Sequence, residues 1–169
     1  MGNNWDYIRT VYDSAGIVQY TENINYLVIR DTIIHYERWF GLTNTPASIY
    51  YTNKYNGYWL YRKKVPNYFP NDTSFLIYKY PANVGDIYNG FGYQREVVAV
   101  NKLISVPAGS FNTIHYVDTF LPPNNYLQES FEIFVARGIG IVKRMQIGRK
   151  YDGTNFVVYA EELENYTVN

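Results

Sequence analysis

Few side chains in this chain are placed to do chemistry. Its imidazoles are His35 and His115, and each falls in a run that reads as extended. His35 shares a strand face with Glu37, and His115 stands shortly before Asp118. A zinc centre needs three or four converging ligands, and a triad needs a serine beside a histidine that an acid orients. The chain has no H-E-x-x-H, no G-x-S-x-G and no phosphate-binding glycine loop. The histidines are therefore expected to be unrelated strand residues, and chelators are expected to change nothing. Asp72, Asp86, Asp118 and Asp152 lie in or beside turns, where Asp caps backbone N–H groups. Glu161, Glu162 and Glu164 cluster on the last strand and read as a solvated edge. Glu129 and Glu132 fall on opposite faces of one run, whereas a glycosidase needs two buried carboxyls on facing elements. Cysteine is absent, which removes disulfides, thiolate metal sites and cysteine nucleophiles. The sequence predicts no catalytic residue, no metal site and no cofactor.

Binding is the other chemistry available. Arg62-Lys63-Lys64, Lys143-Arg144 and Arg149-Lys150 are basic, and Tyr58, Trp59 and Tyr61 interleave with the first of these. The 15 basic residues balance 15 acidic ones, so the chain has no electrostatic footprint for nucleic acid or an anionic membrane. The basic residues are read as protection of strand edges. Aromatic residues stand out: 20 Tyr, 9 Phe and 3 Trp make up 19% of the chain. A tyrosine ring packs well on a pleated surface while its hydroxyl stays wet, which suits strands with two usable faces. This aromatic load exceeds what one tight core uses, so the surplus rings must line a cleft or form a patch. The candidate ligand-binding residues are Tyr20, Tyr26, Tyr36, Trp39, Trp59 and Phe131.

The elements that position them are strands. At 169 residues the chain is expected to form a single β-rich domain, residues 1–169, long enough to bury a core without staples. Val18, Tyr20, Ile24, Tyr26 and Val28 alternate with Gln19, Thr21, Asn23 and Asn25, the pattern of a strand with one buried face. Arg30-Asp31 is the expected turn, with a second strand from Thr32 to Phe40. Asn56-Gly57 and Asp152-Gly153 mark hairpins. Val65 to Thr73 is a loop, Ser74 to Tyr80 a strand, and Val84-Gly85-Asp86 a turn delivering Ile87 and Tyr88 to the core. A meander follows: Arg95 to Val106, a turn at Pro107-Ala108-Gly109-Ser110, Phe111 to Phe120, Tyr126 to Arg137, and on through Gly138 and Gly140. Val98, Val100, Ile104 and Val106 are expected on one face. Trp5 is expected to pack on the sheet from an extended lead-in segment. The expected fold is all-β and largely antiparallel: a strongly curved sheet, half-barrel or barrel-like meander of about ten strands. No apolar run reaches the roughly 18 residues of a membrane span.

Several short strings recur in a known order. Tyr80-Pro81 with Val84-Gly85-Asp86, Val106-Pro107-Ala108-Gly109-Ser110-Phe111, Ala136 to Lys143, and Glu162-Leu163-Glu164-Asn165-Tyr166 resemble a group of uncharacterised secreted proteins and lipoproteins of Bacteroidetes. In that group "yP…vGd", "vpaGtF", "yapGvGlVk" and "eL..y" follow one another. The resemblance covers about residues 80–166, and Tyr88 departs from it where the group usually has Trp. It implies a β-rich domain exported across the inner membrane, periplasmic or on the outer-membrane surface and often lipid-anchored in its precursor. Met1-Gly2-Asn3-Asn4 is then expected to follow a removed leader.

The functional expectation is a non-catalytic cell-envelope domain. Its aromatic-lined concave face would bind an apolar or amphipathic small ligand, or an envelope protein partner. The alternative is a surface carbohydrate-binding module using exposed Tyr and Trp rings, with a hydrolase a distant third. Trp39 and Trp59 discriminate the first two: solvent-facing coplanar rings favour glycans, and enclosed rings favour lipid-like ligands.

Overall fold

The computed structural model describes residues 2–66, 70–90, 92–120 and 130–168. Among these, twelve strands form and no helix does: β1 (Asn4–Tyr12), β2 (Val18–Ile34), β3 (Glu37–Leu42), β4 (Ile49–Lys54), β5 (Gly57–Arg62), β6 (Thr73–Lys79), β7 (Ile87–Asn89), β8 (Tyr93–Val106), β9 (Gly109–Phe120), β10 (Ser130–Ala136), β11 (Gly140–Arg149) and β12 (Asn155–Thr167). The two beyond the expected ten are β1, a full strand where a lead-in was expected, and the short β7. Among the described residues no helix is long and apolar enough to cross a membrane.

All twelve belong to one sheet, in the order β6-β5-β4-β3-β2-β1-β12-β11-β10-β9-β8-β7. Each strand pairs antiparallel with its neighbour in this order. Because β1 pairs with β12, both ends of the chain lie at the middle of the sheet. The order is that of an up-and-down barrel opened at a single place, between β6 and β7.

The sheet curls until these edges meet. Ile77 and Tyr78 of β6 pack with Val97, Tyr116 and Ile133 of β8, β9 and β10. Among the described residues no ladder closes the gap; side chains do. Tyr116 Oη donates to Lys79 O at 2.6 Å and Tyr88 Oη to Ile77 O at 3.0 Å. Lys79 N–H donates to Tyr88 Oη at 3.1 Å, and the Arg95 guanidinium also reaches Ile77 O. An edge strand presents unpaired backbone groups that cost free energy if buried, and these side chains satisfy them. The Val84-Gly85-Asp86 turn is pinned to β8 in the same region. Gly85 N–H donates to Val97 O, Val97 N–H donates to Asp86 O, and the Asp86 carboxylate accepts from Asn83 N–H at 2.8 Å. This turn delivers Tyr88 to the seam, whereas Ile87 remains 59% exposed.

Three local expectations are corrected. Arg30 and Asp31 do not turn: Asp31 stays in register with Phe40, and Arg38 Nε donates to its carboxylate at 2.6 Å. The turn falls at His35-Tyr36, both with positive φ (51° and 66°), as a two-residue hairpin loop of this twist requires. In β8, Val98 shares the face of Ile104 and Val106, as expected, but Val100 does not. Register shifts at Val97/Ala99 and Ala99/Lys102, with Asn101 at φ 60°, reverse the alternation between them and restore it beyond, and Arg95 and Val97 are the buried residues before the first shift. The Asn56-Gly57 hairpin forms, but its loop is Tyr55-Asn56, and Gly57 already pairs with Lys54 and Lys79.

Beyond the Asn101 bulge the β8–β9 hairpin bends over β12, and Ala108 N–H donates to Leu163 O at 2.9 Å. There Ile104, Val106 and Phe111 pack on Phe134, Ala136, Val142 and Leu163. Gly138 lies in the β10–β11 turn and Gly140 opens β11, both with positive φ (78° and 110°). The Trp5 indole lies beside Gly140 and donates to Ile139 O at 2.7 Å. An aromatic ring therefore packs at this glycine pair, at a hairpin turn and not along a strand interior.

Candidate ligand-binding face

Residues paired across an antiparallel ladder project to the same face, so the registers define the inner surface of the curl. One row runs Glu22, Arg9, Glu161, Arg144, Ile133, Tyr116 and Val97 from β2 to β8. The next runs Tyr20, Val11, Tyr159, Gln146, Phe131, Asp118 and Arg95. On the other half of the sheet, Phe40 pairs with Tyr51, Tyr51 with Leu60, and Tyr58 with Tyr78, which places these rings on the same inner surface.

The curl brings the two halves together. Tyr58 stacks between Tyr51 (centroids 5.5 Å) and Tyr78 (6.1 Å), and Tyr78 meets Tyr116 across the seam at 5.2 Å. Tyr51 on β4 lies within electrostatic reach of Tyr26 on β2, Tyr93 on β8 and Arg144 on β11. Towards one end, Tyr93, Phe120, Phe131 and Tyr159 form a chain of ring contacts at 5.7–6.4 Å, all of them half-buried. Burial pushes the Tyr51 phenol up to about 12 and raises Tyr58 and Tyr78 as well. These hydroxyls are therefore neutral donors at any physiological pH.

Two arginine clusters are set among the rings. Arg95 and Asp118, with side chains 2% and 4% exposed, form a paired, two-pronged contact, and Arg95 also lies 4.4 Å over the Tyr78 ring. Burial raises the Asp118 carboxyl, and Arg95 opposes that shift. Asp118 was expected in or beside a turn, capping backbone; it lies two residues from the end of β9 with its carboxylate buried against Arg95. In the second cluster Glu161, only 3% exposed, accepts from Arg9 Nε at 2.8 Å, and its other oxygen lies 2.6 Å from Arg144 Nη2. Arg9 Nη1 donates to Glu22 at 2.9 Å. Burial alone would lower the Arg144 pKa, but Glu161 and the surrounding phenols more than offset it, and the net direction is upward. Glu161 and Arg144 are thus not a solvated edge or edge protection. β11 and β12 lie inside the sheet, so alternation turns every second residue inward.

The six residues singled out from the sequence separate. Tyr20, Tyr26 and Phe131 lie on the inner surface, with Tyr20 at its margin and 55% exposed. Trp39 and Trp59 lie on the outer surface with Tyr50 and Tyr61. Trp39 is 2% exposed, and Lys54 Nζ sits 5.2 Å from both indoles. The two indoles form no open, coplanar platform. Tyr36 stands at a hairpin tip, fully exposed. Sequence reasoning missed Arg9, Arg144, Glu161, Tyr51 and Tyr58, whose only signal was their alternation within strands later found to be interior. His115 stacks on Phe134 at 4.2 Å, away from His35, and the described residues contain no group of three metal-ligating side chains.

The class these features define is an open-barrel, all-β meander with an aromatic and arginine-bearing inner surface. No protein-family profile and no curated protein sequence matches the chain. Among solved structures, a candidate lipoprotein from Parabacteroides distasonis superposes with a TM-score of 0.55 at 16% identity, over 98% of this chain and 95% of that one. A candidate exported protein with a YmcC-like fold from Bacteroides fragilis aligns with a TM-score of 0.46 at 15% identity, over 99% and 97%. The Parabacteroides match shows that this chain shares the fold of that protein along nearly its whole length.

Proposed function

We propose that this protein is a non-catalytic, exported domain of the bacterial cell envelope that binds an amphipathic ligand on its concave face. The observation that carries this reading is the inner surface itself. Half-buried rings from β2, β4, β5, β10 and β12 converge there. The hydroxyls of Tyr51, Tyr58 and Tyr78 have no hydrogen-bond partner among the described residues. None of the three is sealed from solvent. Buried phenols ordinarily find partners, so a surface that combines apolar rings with unpaired donors suits a ligand with an apolar body and a polar group. The order of sequence motifs and the Parabacteroides fold match support the envelope placement.

Calorimetric titration with medium-chain fatty acids, acylated peptides and soluble oligosaccharides tests the reading. Saturable binding of acyl ligands, weakened at least tenfold by Phe131→Glu, is the expected result. Binding of oligosaccharides alone would replace it with the carbohydrate reading, and binding of neither class would overturn it. Fractionation of cells expressing the natural precursor tests the location.

A further inference from the structure

The two arginine clusters of the inner surface differ in one respect. Every nitrogen of the Arg95 guanidinium is engaged: Nε and Nη2 meet Asp118, and Nη1 meets Ile77 O. Arg144 offers the same five donors, yet its contact among the described residues is a single one, Nη2 to Glu161. Its Nε is sealed without a partner. The carboxylate it leans on is shared, because Arg9 Nε and Nη2 both take the other Glu161 oxygen. The Arg144 side chain remains 29% exposed although burial is the largest influence on its ionisation. Its pairing with Glu161 and Ile133 places it on the inner surface of the curl. The phenols of Tyr26, Tyr51, Tyr78 and Tyr159 surround it within electrostatic reach. A half-buried cation with a sealed, unpaired N–H is costly, and a guanidinium beside neutral phenol donors is matched by a small oxyanion that can take a fork of N–H groups.

We propose that Arg144 is the recognition residue for an anionic headgroup, a carboxylate or a phosphate monoester, on an amphiphile whose apolar chain lies along Phe131, Phe120 and Tyr159. This rests on the ligand reading above and specifies its headgroup. Dodecanoate, dodecanol and dodecyl phosphate share a chain and differ at the head, so calorimetry with the three separates the two ideas. Dodecanoate or dodecyl phosphate is expected to bind at least tenfold tighter than dodecanol, and the tighter of the two names the oxyanion. Arg144→Gln should abolish that preference, so that dodecanoate and dodecyl phosphate bind no tighter than dodecanol. Arg144→Lys, which keeps the charge but not the fork, should retain part of it. Circular dichroism confirms that the variants fold. Should Arg144→Gln not fold, the wild-type comparison still decides. Equal affinity for dodecanoate, dodecyl phosphate and dodecanol overturns the role of Arg144 while leaving an apolar site. Binding of none of the three overturns the headgroup proposal together with the ligand reading.

Discussion

Removing Arg95 tests how the open barrel is held shut. Its side chain is 2% exposed, it pairs with Asp118 at 4% exposure, and it also binds the edge carbonyl of Ile77. Arg95→Met leaves a buried carboxylate without its counter-ion and an edge carbonyl with one donor fewer. Deleting one member of a buried ion pair costs about 3–5 kcal/mol, chiefly from the stranded charge, while replacing both members with apolar groups is often nearly neutral. Arg95→Met should therefore lower stability by about 3–5 kcal/mol, a fall in Tm on the order of 10 °C for a chain of this size. Arg95→Met with Asp118→Leu should recover most of that and retain a deficit of about 1–2 kcal/mol for the lost contact to β6. Urea denaturation of the three proteins measures the free energies, and amide exchange on β6 measures the seam. The β6 amides should exchange faster than those of β11 in both variants. A single variant less than 1 kcal/mol below wild type, or a double variant no better than the single, would show that this pair does not hold the edges together.

Three further outcomes follow from the geometry. Gly140→Leu should destabilise by about 2 kcal/mol or more, because φ is 110° there and a larger side chain displaces Trp5; an unchanged Tm and near-ultraviolet spectrum would remove the argument. Gly57→Val should cost about 2–4 kcal/mol, since a Cβ would stand 2.3 Å from Tyr78 O, and a urea midpoint equal to wild type would refute it. Burial first, and then Lys102, lower the His115 pKa below 6.5, with Glu132 opposing them. The unfolded chain then binds this proton more readily, so the His115 contribution is fully present above pH 6.5 and is lost as pH falls below it. Comparing urea midpoints of wild type and His115→Gln between pH 7.5 and 5 should show a shallower decline in the variant, and parallel curves would exclude the effect.

Much of the fold was legible along the chain because strand alternation and hairpin chemistry are local. The period-two run around Tyr20 to Val28 needed nothing beyond a strand to place those residues on one face. Asp152-Gly153 lies in its hairpin because Gly153 takes the positive φ that glycine tolerates. The turn of the β2–β3 hairpin was misplaced for the converse reason. Its positive-φ residues are His35 and Tyr36, which carry no turn signature, and the surrounding sheet holds them there.

The sequence by itself determined an all-β, antiparallel meander rich in aromatic rings. The tertiary structure alone decided that the chain ends pair at the middle of the sheet, that its edges meet through Arg95, Tyr88 and Tyr116, and which half of each alternating strand faces inward. These are consequences of long-range register. The same arginine is edge protection on an outer strand and a half-buried, inward-facing cation on an inner one, and Arg144 became the latter only when β10 and β12 closed on either side of β11.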